Sequence, residues 1–165
     1  MNLLRTLCTL GLLAAATAPA IAAGPSTTTG ALATPANRLA GLWTGEGYVA
    51  ACGAPLPSQP TVRTTLIFHA GGTLTEQPRL PPPGANTRSI GLGTWSYDPS
   101  TGQHKARFRF DRYVNGIYSG FSVVERELLL SEDGNEASGD VLSINYDASG
   151  AVLGEVCGIG VSWRS

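Results

Sequence analysis

Charge is sparse in this 165-residue sequence. Asp, Glu, Lys and Arg make up 14% of it, and 11 basic against 12 acidic residues leave a formal net charge of −1. With no basic excess, neither nucleic acid nor an anionic membrane surface is an expected partner. Histidine is scarcer still. The only two, His69 and His104, stand near the ends of strand-like runs and are expected in solvent. The sequence has no Gly-x-Ser-x-Gly, no Cys-x-x-Cys and no His-Glu-x-x-His, so the usual layouts for a serine nucleophile or a zinc site are missing. Asp133-Gly134-Asn135-Glu136 has calcium-loop residue types without the EF-hand spacing, and reads as a hairpin turn. No catalytic residue, metal or cofactor is therefore expected, and binding is favoured over catalysis. Helical periodicity is also lacking after the first two dozen residues.

Long apolar runs are limited to one, at the start. Met1 to Arg5 is short and basic, Leu7 to Ala18 is apolar but too short to span a bilayer, and Ala20-Ile21-Ala22 fits a small-x-small cleavage pattern. Residues 1–22 are expected to be a secretory signal, which implies a secreted or periplasmic protein without a membrane span. Cysteine is scarce too. Of the three, Cys8 leaves with the signal, so Cys52 and Cys157 remain as an even pair in an oxidising compartment, and a disulfide between them is expected. Removing Arg5 leaves 10 basic against 12 acidic residues, about −2. Residues 23–39, rich in Gly, Ser, Thr, Ala and Pro, read as a flexible leader.

What the sequence does have is alternation. Residues 40–165 hold eight strand-like runs: Thr44–Ala50, Thr61–Ala70, from Thr73, Ile90–Tyr97, two more spanning His104 to Leu130, Ala137–Tyr146 and Val152–Trp163. Turn residues or proline-rich loops separate them. The Leu80–Gly84 loop, with three prolines, cannot lie inside a sheet. The fold class is all-β: an eight-stranded antiparallel up-and-down meander. A bridge from Cys52, after the first strand, to Cys157, in the last, requires those strands to be neighbours. The meander therefore closes into a small barrel. A two-sheet sandwich is the second possibility.

The sharpest alternation runs from His104 to Leu130. Ala106, Phe108 and Phe110 take one face, and Lys105, Arg107, Arg109 and Asp111 the other. A two-residue Asn115-Gly116 loop would set Lys105 opposite Arg126, which like charges disfavour. A three-residue loop sets Lys105 opposite Glu125 and Phe108 opposite Ser122, and is expected. Arg112 and Arg126 then share the inward face with Phe108 and Val124. For the next strand two registers stay open. One sets Arg126 opposite Val141 with Ala137, Gly139, Val141, Ser143 and Asn145 inward; the other sets it opposite Asp140. The first is preferred.

Gly41-Leu42-Trp43, at the entry of the first strand, resembles the Gly-x-Trp signature of lipocalins and related calycin barrels. Gly93-Thr94-Trp95 repeats it and is similar to the opening of avidin-like barrels. The resemblance implies a barrel with a small apolar ligand in its mouth. It also implies an arginine packed on Trp43, for which Arg126 and Arg164 both qualify. The expected lining is Phe108, Phe110, Ser122 and Val124 with Arg112 and Arg126, and Trp43 and Trp95 at the floor. An arginine there would favour an acidic group on the ligand. Alternatively Arg112 reaches solvent and Arg126 pairs with Asp140. Two further functions stay open. One is a protein-interaction module similar to periplasmic metalloprotease inhibitors; the other is a cavity enzyme of the allene-oxide-cyclase or dirigent type. Phe121, Val123, Leu129, Leu142 and Ile144 are apolar on the outward face, which suits a homodimer or another protein partner.

Overall fold

The computed structural model describes residues 34–79 and 86–165. The expected signal, nearly all of the leader and the Leu80–Gly84 loop lie outside the described residues. A 3₁₀ turn, Pro35–Asn37, is followed by nine strands: β1 Gly41–Ala51, β2 Val62–Phe68, β3 Thr73–Pro78, β4 Asn86–Arg88, β5 Gly91–Asp98, β6 Gln103–Val114, β7 Ile117–Leu130, β8 Glu136–Tyr146 and β9 Val152–Arg164. Each strand but β4 is antiparallel to its chain neighbours, with β3 paired to β5, and β1 also pairs with β9 from Trp43↔Arg164 to Ala51↔Val156. The result is a closed eight-stranded barrel. The short β4 is an extra strand laid against the far end of β6.

Closure and disulfide agree. Cys52 and Cys157 are bonded with their alpha carbons 4.8 Å apart, a link across 105 residues of sequence that joins β9 to the chain just after β1. Serine or asparagine ties three of the turns. Asp98 accepts from Ser100, Asp147 from Ser149, and Asp133 from Ser131 and Asn135. These bonds hold all three carboxyls below their usual range. The Asp133–Glu136 segment is thus a hairpin turn.

The β6–β7 hairpin corrects the expected register. Lys105 faces Glu127 and Phe108 faces Val124, rather than Glu125 and Ser122. Asn115 and Gly116 both have positive φ, 51° and 78°, so the turn is the tight two-residue form. A bulge between Arg112 and Tyr113 then shifts the pairing by one residue. The bulge restores the inside–outside parity that a three-residue loop would give. It also brings opposite charges together: Arg107 with Glu125 at 3.1 Å and Lys105 with Glu127 at 3.7 Å. In β7–β8 the preferred register holds, with Arg126 opposite Val141 and Asp140 exposed.

The outward apolar residues do not form one open patch. Val123 is buried, and Phe121 is stacked on Tyr146 at 4.6 Å and covered by Arg109 at 3.8 Å. Leu129 is exposed. No helix among the described residues is long and apolar enough to cross a membrane.

One end of the barrel is packed solid. Leu39, Ala40, Trp43, Phe68, Leu74, Trp95 and Leu128 are buried there. Trp43 donates its indole N–H to the Leu39 carbonyl at 2.8 Å, and Trp95 donates to His69 at 2.9 Å. Arg164 resolves the choice of arginine. Its guanidinium lies 4.3 Å from the Trp43 ring centre and donates to the carbonyls of Arg38, Ala40 and Gly134. Gly41, at φ 138°, is required twice over, since a side chain there would be strained and would meet the Arg164 guanidinium. His104 departs from expectation. It is buried at this end, close to the Trp95 and Tyr97 rings, with both ring nitrogens lacking a hydrogen-bond partner. His69 is exposed.

Candidate functional site

Above the packed end the barrel is hollow. The cavity measures about 190 Å³. Glycines of β1 and β9 let neighbouring side chains pack close beside it. Side chains at Gly45 and Gly47 would run against Leu66, Thr64 and Val62, and one at Gly160 would strike the Arg126 guanidinium. The far wall is Phe108 and Phe110, and a belt of valines (Val49, Val62, Val124, Val141 and Val156) makes up much of the rest. Such a surface favours apolar matter by about 25 cal/mol for each Å² removed from water.

Two guanidinium groups, Arg88 and Arg126, and two carboxylates, Glu46 and Glu76, interrupt this lining, and Glu46 is held by Arg63 at 3.1 Å. Glu76, 1% exposed, receives Arg88 in the bidentate fork, Nη1 to Oε2 at 2.7 Å and Nη2 to Oε1 at 2.6 Å, and the Thr64 hydroxyl also donates to it. Arg88 lies over the Phe110 ring at 4.1 Å. The pair bridges a gap in the wall. β3 pairs with β5 only over Thr73–Glu76, and β4 pairs with β6 alone, so no backbone bonds join β3 to β4.

Arg126 has no such partner. It is 6% exposed, and its two terminal nitrogens reach only the Ser162 hydroxyl, at 3.5 and 3.4 Å, while Nε makes no hydrogen bond. Among the described residues, no carboxylate forms an ion pair with it. Burial pulls its pKa down to about 10, partly opposed by the charge of Glu76. It remains a cation at neutral pH. Leaving such a charge unpaired costs several kcal/mol.

Of the residues expected at a site, the structure brings Phe108, Phe110, Val124 and Arg126 to the cavity. The others lie elsewhere. Ser122 is buried and donates to Asn145 at 2.6 Å, and Arg112 donates to the Tyr146 carbonyl at 2.6 Å. Trp43 and Trp95 belong to the packed floor. Glu76 and Arg88 were not anticipated. Alternation from Leu74 puts Glu76 on the inward parity, and that was the available signal. Arg88 follows the proline-rich loop in a strand of three residues, where no pattern can be read.

Among the described residues, no group of three His, Cys, Asp or Glu could hold a metal ion. No protein-family model, curated protein or solved structure matches the chain.

Proposed function

We propose that this protein is an exported binding barrel that holds a small hydrophobic or amphipathic molecule in the cavity above its packed floor. The observation that carries this reading is the hollow itself. It is walled by phenylalanine and valine and supplied with a few convergent polar groups. Glu76 has both oxygens engaged by Arg88, one of them also by Thr64, which favours binding over acid–base chemistry. The disulfide suits an oxidising compartment and so supports export. The lipocalin-like reading draws support from the floor, where Gly41, Trp43 and Arg164 meet.

The reading is tested by NMR titration with small neutral aromatics such as indole, p-cresol and phenylacetamide. Shifts are expected at Phe108, Val124 and Val141. They should disappear in Val141→Phe, which fills the hollow. Shifts confined to outward residues, or none at all, would refute it.

A further inference from the structure

Taking the cavity as a ligand site, we infer that its occupant is a monocarboxylate, one apolar ring or short chain with a single carboxylate that docks on Arg126. The inference starts from an incomplete hydrogen-bonding shell. Arg126 is a buried side chain with five donors, in contact with one hydroxyl at the outer limit of hydrogen-bond length and with an orphan Nε. Buried donors in native proteins are satisfied with few exceptions, and a planar fork of N–H groups matches a carboxylate in two parallel bonds. The place is also built to hold the guanidinium. A Cβ at position 160 would displace Nη2, so Gly160 lets the guanidinium sit where it does, and Gly45 leaves similar room beside the Ser162 hydroxyl.

Glu76 sets the charge of the ligand. It lines the same cavity but is held by Arg88 and Thr64, so it cannot turn to Arg126 without abandoning both. Of the charged groups on the wall, Glu76 is paired with Arg88 and Glu46 with Arg63 outside the cavity, so Arg126 alone lacks a counter-charge. A single negative charge balances it. A second would stand unpaired with Glu76 on the same wall. Volume sets the size. A dry cavity of roughly 150 Å³ accepts benzene, so about 190 Å³ has room for one ring and a carboxylate.

Three ligands of matched shape and different charge decide the matter: phenylacetamide (neutral), phenylacetate (one charge) and phenyl phosphate, which is nearly a dianion at pH 7.5. Calorimetric titration of the mature protein should give phenylacetate at least tenfold tighter than phenylacetamide, with phenyl phosphate weaker than phenylacetate. In Arg126→Gln the acid-over-amide ratio should fall to within twofold of one while phenylacetamide still binds. The wild-type ratio needs no variant, so it stands even where Arg126→Gln fails to fold. Equal binding of acid and amide would overturn the carboxylate assignment and leave the cavity reading intact. Tighter binding of phenyl phosphate would overturn the single-charge assignment. Binding of none of the three would overturn both.

Discussion

Arg126 is the residue whose environment fits its chemistry least well. A buried cation with only long contacts to Ser162 weakens the empty barrel. Replacing such groups by apolar residues is often neutral or stabilising. Arg126→Met should therefore raise the urea midpoint, by about 1–2 kcal/mol in unfolding free energy. Lower stability in this variant would mark the guanidinium as a structural prop instead. That Arg126 points inward was legible from strand alternation, because Phe108, Val124 and Arg126 share one parity. Its isolation was not legible, since it depends on whether Asp140 or Val141 lies opposite, and one residue of turn length decides that. Glu76–Arg88 was hidden for another reason: the two residues are held by strands that do not pair with each other.

Among the elements, the 3₁₀ turn Pro35–Asn37 and the β5–β6 pair beneath it enclose His104. The Trp95 and Tyr97 rings lie against the imidazole, with the Pro35 carbonyl and Arg38 above. Burial lowers the His104 pKa; the Pro35 carbonyl, near the ring but outside hydrogen-bonding geometry, opposes this to some extent, and Arg38 adds to it. In the unfolded chain the imidazole titrates at about 6.5. Below that pH the unfolded state binds a proton that the folded state resists, so stability is full above about pH 6.5 and declines as the pH falls towards the folded pKa. The lowered carboxyls of Asp98, Asp133 and Asp147 act in a more acidic range. Thermal melts between pH 7.5 and 5 should show this decline in the natural protein and a flatter profile in His104→Leu. The same slope in both would assign the effect elsewhere. The strand order was readable at this scale because each turn carries its own Gly, Asp or Asn. The bulge beside Tyr113 was not, because no residue type demands it. Nor was the burial of His104, which depends on chain that reads as leader folding over the barrel end.

For the molecule as a whole, barrel closure was legible from the two mature cysteines, which bond only if the first and last strands touch, although a two-sheet sandwich also brings chain ends together. Cys52–Cys157 encloses 105 residues of separation, and by chain-entropy arithmetic such a loop contributes about 4–5 kcal/mol. Cys52→Ser with Cys157→Ser should lower the unfolding free energy by about 3–4 kcal/mol in guanidinium titrations. A change below about 1 kcal/mol would show that β1–β9 pairing closes the barrel unaided. That seam is secured twice, by the disulfide at one end and by Arg164 over Trp43 at the other. A vessel riveted along one side yields on another, and here the thin side is β3 against β5 and β4, bonded along Thr73–Glu76 and bridged beyond it by Glu76–Arg88. A molecule passing that way must pull apart a buried ion pair, which bulk electrolyte screens poorly. Traffic by that route would be slow, at a pace that added salt hardly alters.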